Sequence, residues 1–583
     1  MRVSDYIIKT LELGGIEAVF TITGGFAMHL NDSFGRSNLK VHYQHHEQAC
    51  GYSAVGYTKA CGKPSVVCTT AGVAATNAIS PCLVAYQDSV SVLFISGQVN
   101  STDTIRSKNT GTMKLRHYAG ADCDIIDAVS GITKYSHEVT SVEELPSVMM
   151  KALENLCTGR PGPVWLSMPL DIQGKQIDLP PLIYDTPSYT IEKLNLSEVY
   201  ECIGKSKRPL LLIGNGVKFC RQEFLSFIET YPIPCVFTML SSDLLETNHL
   251  LNIGKVGILG DRHGNFALQN CDLLISIGCR MAQGVVGYRA EWFSRESKRI
   301  YVDNDPNELQ KTNIRYDVKL QTNVRTFFSS FEMDIPDYSE WVSKCTHWKH
   351  RWLFETPEFD KTQPINPYFA LKSFYNSSPS NKITIASSGS IVTNIWHMLN
   401  VKSNDVFILS SQGDMGFELP AAIGCQIACP DKCVVTILGE GSLQLNIQEF
   451  QTIVQYSLPV KMFVFNNATY GAIEMTQKNF FNTKFGVDLS SGISFPDTEK
   501  IANAYGIHYL SVRTYEEFEA SIKQFLDYPG PVILEVFCCI QSRYPRLSAI
   551  KNEDGTFTNR PFEDMFPFLE REDLKNEMIV SQV

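Results

Sequence analysis

A chain of 583 residues is too long for a single hydrophobic core, and its length divides into about three or four domains. Its 44% hydrophobic and 19% charged residues describe an ordinary globular protein, and a formal charge of −11 with no basic run argues against nucleic acid or anionic membrane as partners. The N-terminal MRVSDYIIKTLELGG has helical periodicity without an apolar signal-peptide core, and no apolar run is long enough to span a bilayer, so a cytoplasmic protein is expected. The 17 cysteines are scattered and lack CxxC pairs, which reads as reduced, mostly buried thiols. Cys425, Cys429 and Cys433 have the spacing of one helical face. No His or further Cys completes a tetrahedral set, so small-residue packing is preferred over a metal site.

In chain order, residues 1–180 alternate helical patterns with the apolar runs EAVFTIT, KVHYQH, PSVVCTT, SVSVLFISG and PVWLSMP, each closing in a polar or glycine-containing loop. Residues 174–195 are rich in Pro and polar side chains and read as a linker. A second block, 196–345, carries PLLLIGNG, PCVFTML, DLLISIG and RIYVDND, and residues 346–365 read as another connection. The third block, 366–540, carries KITIASSG, DVFILSS, CVVTIL and VKMFVF. Residues 541–583 have little strand character and read as a C-terminal arm, either packed on the body or solvated. The expected fold class is α/β, with three doubly wound parallel-sheet domains.

Within the third block, residues 439–471 form one βαβ pattern. Parallel strands place their carboxyl ends on one edge of the sheet, which brings Glu440 and Asn467 close in space. Gly439 and Gly441 let backbone N–H groups approach a phosphate. A carboxylate, a side-chain amide and a loop carbonyl are hard oxygen ligands of the kind Mg²⁺ takes. A tight strand-to-helix turn followed by an Asn-rich turn explains the same residues without a ligand.

Five ordered stretches together resemble the thiamine-diphosphate (ThDP) enzymes, in particular the acetolactate-synthase-like family. These are HHEQACGYSAVGYTKACGKPSVVCTTAGVAATN at 45–77, GRPGPVWLSMPLD at 159–171, VDNDP at 302–306, GDMGFELPAAIG at 413–424 and the 439–467 segment. The resemblance covers nearly the whole chain. It implies a pyrimidine-binding domain over 1–180, a central domain over 196–345 and a diphosphate- and metal-binding domain over 366–540. It also implies that Glu47 is the activating acid at the cofactor's pyrimidine N1′, which lets the 4′-amine take the thiazolium C2 proton. Asn77 closes the same stretch and is placed with the cofactor-binding residues. Met415 is expected under the bent cofactor, and Gly439, Gly441, Ser442, Gly389 and Ser390 around the diphosphate. Glu440, Asn467 and the Thr469 backbone carbonyl would hold Mg²⁺. Taken alone, Glu47 also fits a helix-capping surface acid, Met415 a gap filler, and the Ser-Gly loop an ordinary turn.

This sequence departs from the family in places. Glu440 stands where the family has Asp, which lengthens the ligand's stem by one methylene. Ala121-Asp122 occupies the place of a Gln-Glu pair, which argues against a standard acetolactate synthase. Residues 23–35 and the tail NRPFEDMFPFL resemble carboligases of surface-sugar pathways, including yersiniose-type enzymes that add an acetyl unit from pyruvate to a nucleotide-linked keto-sugar. That match places Gly24, Gly25, Phe26 and His29 near the thiazolium, with His29 as a proton donor; a core histidine is the alternative. Flavin-binding relatives match at Gly214-Asn215-Gly216, Gly257–Gly260, Arg280 and Asp303-Asn304-Asp305, but Met-Ala-Gln-Gly follows Arg280 where they have Asp-Asp-Arg. FAD is therefore a second cofactor to test. The expected activity is decarboxylation of a 2-oxo acid, pyruvate first, and transfer of the acyl unit to a carbonyl acceptor by a homodimer or homotetramer. The alternatives are an acetolactate synthase, a simple decarboxylase, a flavin-dependent oxidase and a non-catalytic member.

Overall fold

The structure is a computed structural model and describes residues 1–184, 194–353, 359–539, 547 and 549–583. Three parallel six-stranded sheets, each flanked by helices, follow one another along the chain. The first contains β1 (Ala18–Thr21), β2 (Lys40–Tyr43), β3 (Ser65–Thr69), β4 (Val92–Gln98), β5 (Tyr135–Glu138) and β6 (Val164–Pro169), in the order β2-β1-β3-β4-β6-β5. The second contains β7 (Pro209–Ile213), β8 (Cys235–Phe237), β9 (Asn252–Lys255), β10 (Leu273–Ile277), β11 (Lys298–Asp303) and β12 (Val318–Gln321), in the order β12-β11-β10-β7-β8-β9. The third contains β13 (Lys382–Ile385), β14 (Val406–Ile408), β15 (Cys433–Gly439), β16 (Lys461–Asn466), β17 (His508–Val512) and β18 (Val532–Phe537), in the order β14-β13-β15-β16-β18-β17.

The reason for sheets buried on both faces is plain in β7 and β10. Leu211, Ile213, Ile275 and Ile277 enter one core, while their neighbours Leu210, Leu212 and Leu274 enter another. Successive side chains alternate faces, so a continuous apolar run supplies both cores. The sequence reading passes over β18, an interior strand whose apolar run is interrupted by the buried Glu535, and over β5, β9, β12 and β17, which are all sheet edges. Their sequences, YSHE, NIGK, VKLQ and HYLSV, mix polar and apolar residues because an edge strand has one flank open.

The chain forms two compact units. One comprises Met1–Ser188, Lys382–Gly389 and Ile408–Phe537; the other comprises Tyr189–Asn381, Ser390–Phe407 and Cys538–Val583. In the first unit, Ile177, Leu182 and Tyr184 of the expected linker pack on the core of the first sheet. The rest of that linker, residues 185–193, lies outside the described residues. In the second unit, residues 346–351 belong to the helix Ser339–Arg351 and not to a connection, because Cys345 and Trp348 bury its inner face. The C-terminal residues Phe562 and Leu574 join one core of the second sheet, and Gln269 donates to Glu563 at 2.8 Å.

All 17 cysteines are free thiols. Cys433 begins β15 while Cys425 lies in the helix Glu418–Ala428, so the regularly spaced trio does not share a helical face. Among the described residues, no helix is long and apolar enough to cross a membrane, and no cluster of three or more His, Cys, Asp or Glu residues could hold a metal.

Candidate active site

In the first sheet, strand order reverses between β1 and β3, so the loops after these strands meet at the carboxyl edge, where open α/β sheets bind ligands. They meet closely. A Cβ on Gly24 would lie 2.4 Å from Thr70 Cβ, and the Phe26 amide donates to Thr70 Oγ1 at 3.2 Å. Gly25 opens the 3₁₀ turn Gly25–Ala27, and Asn31 Nδ2 donates to the Gly24 carbonyl. His29 lies half-buried in the next helix, its ring so close to Gly174 that a Cβ there would come within 2.9 Å of Nε2.

Glu47 is the first residue of the helix Glu47–Cys61, following β2. The cap belongs to His46, whose Nδ1 accepts the Gln48 amide at 3.1 Å, so Glu47 does not cap the helix. Its carboxylate is half-buried and accepts from Asn77 Nδ2 at 3.0 Å. The structure thus joins two residues that stand 30 positions apart.

Small residues clamp this helix to the helix Glu418–Ala428. A Cβ on Gly56 would sit 2.3 Å from the Ala421 carbonyl, one on Gly424 would sit 1.8 Å from the Ser53 carbonyl, and Ser53 Oγ donates to the Pro420 carbonyl. Larger side chains at Gly56 or Gly424 would force the helices apart. Beside this crossing, Glu449 accepts from Gln44 Nε2 and from the His45 amide, and Asn446 Nδ2 donates to Gln48 Oε1. The loop bearing Glu47 is therefore bonded directly to the segment after β15.

In the third sheet, the reversal falls between β13 and β15. β15 and β16 pair in parallel with Gly439 opposite Phe465, which sets Glu440 beside the 466–469 turn. Glu440 Oε1 and Asn467 Oδ1 both accept from the Thr469 amide, at 3.1 and 3.2 Å, so two hard oxygens converge on one point. The Thr469 carbonyl accepts from the Gly471 amide. Ala468 adopts φ +57°, with its amide on Asn466 Oδ1, and this Asx turn aims the 467–469 backbone toward Glu440. Glu440 is buried, and desolvation pushes its carboxyl up to about 7 against the pull of its backbone hydrogen bonds. Gly441 is sterically obligatory, since a Cβ would lie 2.2 Å from the Tyr470 ring. The segment 440–455 is not one helix. It breaks at Asn446, whose φ/ψ of −135°/33° leaves the helical region and whose side chain donates to the Gly416 carbonyl at 2.7 Å.

A residue absent from the sequence reading ties this edge together. Glu418 is fully buried; one oxygen accepts from the Ser387 amide, the Ser388 amide and Ser388 Oγ, and the other accepts from Ser442 Oγ at 2.6 Å. Ser442 Oγ in turn accepts from the Gly416 amide. The Ser442 hydroxyl, expected at a phosphate, thus gives its proton to Glu418. One carboxylate bridges the loops after β13 and β15, with Met415, half-buried, next to Gly416 between them. Burial raises the Glu418 carboxyl above its usual value, and its hydrogen bonds oppose the shift. Gly389 opens the helix Gly389–Met398 at φ +73°, a conformation that favours glycine. Ser390 follows it in the first turn.

At the flavin-matching positions, Gly214 and Gly216 pack backbone to backbone on Gly278, Gly257 at φ +112° faces the Gly284 carbonyl, and Asp303 Oδ1 accepts the Asp305 amide. Ala121, at φ +66°, has its carbonyl against Gly72, and Asp122 Oδ2 accepts the Ile105 amide at 2.6 Å.

Doubly wound parallel sheets, with an acid held at one carboxyl edge and a hard-oxygen cluster at another, define an α/β enzyme suited to a diphosphate cofactor. Three domain families match the chain: the N-terminal TPP binding domain of thiamine pyrophosphate enzymes over residues 1–124, their central domain over 196–331 and their C-terminal TPP binding domain over 387–536. The chain is 30% identical over 558 residues to a probable acetolactate synthase large subunit of Methanocaldococcus jannaschii, covering 92% of each. It is 28% identical to the acetolactate synthase isozyme 2 large subunit of Escherichia coli (92% of this chain, 95% of that protein) and 30% identical to the chloroplastic acetolactate synthase 2 of Nicotiana tabacum (91% and 81%). The chain belongs to the thiamine pyrophosphate enzyme family and is a ThDP-dependent enzyme.

Proposed function

We propose that this enzyme decarboxylates a 2-oxo acid, pyruvate first, and transfers the acyl unit to a carbonyl acceptor of the nucleotide-linked keto-sugar class. The observation that carries the reading is Glu47, presented at the carboxyl edge of the first sheet and held by Asn77. In its bound state ThDP supplies the electron sink for the pair left when CO₂ departs. Glu47 holds a proton at the pyrimidine ring, and Asn77 fixes the orientation of its carboxyl group. Glu440, Asn467 and the Thr469 carbonyl have the hard-oxygen chemistry that suits Mg²⁺, and the two converging side-chain oxygens support that assignment. Met415 lies on the loop that Glu418 and Ser442 hold in place, and Gly24, Gly25 and His29 line the substrate end.

Asp122 bears on the acceptor. One oxygen of its carboxylate, Oδ2, accepts the Ile105 amide and Ala121 is small, which supports an acceptor larger than a second pyruvate. Acetolactate synthesis is the second reading, favoured by relatives of similar length that carry that name. The minimal active unit in this proposal is a homodimer, one chain giving the pyrimidine end and another the diphosphate end.

Product analysis with pyruvate, alone and with a panel of nucleotide-linked keto-sugars, tests the proposal. Acyl transfer to a sugar, with slow turnover of pyruvate alone, supports it; rapid acetolactate or acetaldehyde release from pyruvate alone sinks the sugar acceptor. Flavin absorbance in the purified protein would assign FAD to the loops around Gly214 and Asp303.

A further inference from the structure

A cavity of about 500 Å³ lies in the second unit, beside the edge strand β9 and away from the strand reversal between β10 and β7. This volume is in the range that holds small ligands. Its walls come from β9, the N-terminus of the helix Arg262–Asn270, and the C-terminal parts of the helices Ser339–Arg351, Pro367–Ser377 and Gly389–Met398. Among the described residues its charged lining is lopsided for a chain of net charge −11: Lys255, Lys349 and Lys372 face it, against the acid Asp261.

The positions of these groups are specific. Lys255 Nζ lies 3.4 Å from Asp261 Oδ2 and donates to the Trp396 carbonyl, so the acid's charge is matched there. Asp261 also lies 3.7 Å from His263 Nε2. Lys349 is buried, and its ammonium donates to the Thr247, His249 and Asn252 carbonyls at 2.7, 3.3 and 2.7 Å. Carbonyl dipoles satisfy its hydrogens, but among the described residues no carboxylate pairs with it. Burial accordingly lowers its pKa to about 8. A buried cation is costly without a counter-charge, and an anion in the cavity would supply one. At the mouth, Lys372 is exposed, and the amides of Asn248, Asn376 and Asn400 add polar groups at the lining. Phe237, Tyr375, Met398 and Leu399 add apolar groups to the lining.

We infer that this cavity binds a small phosphate-bearing anion with a flat apolar body, of the nucleoside diphosphate class, at a site separate from the ThDP centre. Lys372 and Lys255 take the phosphates as charge-assisted donors, the buried charge of Lys349 attracts them without donating, and the apolar lining around Met398 and Leu399 takes the body.

Calorimetric titration of ADP, inorganic pyrophosphate and adenosine into protein saturated with ThDP and Mg²⁺ tests the site. The expected result is one ADP per chain, weaker binding of pyrophosphate, and adenosine at least about tenfold weaker than ADP. Lys372→Gln, at an exposed position, and Lys255→Met, each checked for folding by circular dichroism, should weaken ADP about tenfold or more. Lys349→Met should weaken it further where that variant folds. No ADP binding at millimolar concentration, equal affinity for adenosine and ADP, or ADP affinity unchanged in both Lys372→Gln and Lys255→Met would overturn the assignment.

Discussion

The first and third sheets share one strand order, with the second strand outermost, then the first, third, fourth, sixth and fifth, yet their carboxyl edges are finished in opposite ways. The first presents Glu47 half-buried, with one side-chain amide on its carboxylate. The third buries Glu440 and Glu418 and surrounds them with backbone amides and hydroxyls. Strand order decides where loops converge; burial and hydrogen bonding decide what an acid placed there can do. A lightly held acid is suited to share a proton, and a densely bonded one is suited to hold loops or a cation. The comparison assigns proton chemistry to the first sheet and anchoring to the third.

The largest expected break is Glu47→Gln, which keeps the shape and removes the acid. Product formation from pyruvate should fall about 10³-fold, while ThDP retention, read by calorimetry, stays close to wild type. On the third sheet the pattern reverses: Glu440→Ala should weaken Mg²⁺ and ThDP binding by at least about tenfold, and Glu440→Asp should preserve or strengthen it.

Proton competition sharpens the same contrast. Burial raises the Glu440 carboxyl from 4.5 to about 7, so in metal-free protein its contribution to stability is present below pH 4.5 and lost as pH rises through about 7. Mg²⁺ needs the carboxylate, so its apparent affinity should rise up to about tenfold per pH unit between pH 6 and 7 and then level off, as measured by titration. A flat profile would remove Glu440 from the ligand set.

Glu418→Gln should cost about 1–3 kcal/mol in urea unfolding, because the amide cannot accept from Ser442 and from the 387–388 loop as the carboxylate does. The smallest effect is Asn77→Ala, at about 1 kcal/mol of transition-state stabilisation, seen as a severalfold drop in kcat at little change in ThDP affinity. Equal losses in binding and rate would make Asn77 a structural residue only.

Most interior strands were legible because a strand buried on both faces is an apolar run, as PLLLI and CVVTIL are; VILEVF, interrupted by the buried Glu535, was passed over although it is interior. Edge strands such as YSHE and NIGK carry no such signal, and the sequence reading passes over them. The placement of Glu440 beside Asn467 follows from parallel pairing alone. Glu418 was illegible for a physical reason: its role exists only where the loops after β13 and β15 converge, and nothing in GFELPAA marks a glutamate as fully buried. The kink at Asn446 was hidden likewise, since its cause is a hydrogen bond to Gly416, 30 residues away.

Exchange of the thiazolium C2 proton of ThDP for deuterium, followed by NMR in the wild-type protein and in Glu47→Gln with Mg²⁺ present, tests the proton-handling role of the first sheet most directly. Fast exchange in the wild type and a loss of about 10³-fold in Glu47→Gln is the expected result. Equal exchange rates in the two proteins would contradict it.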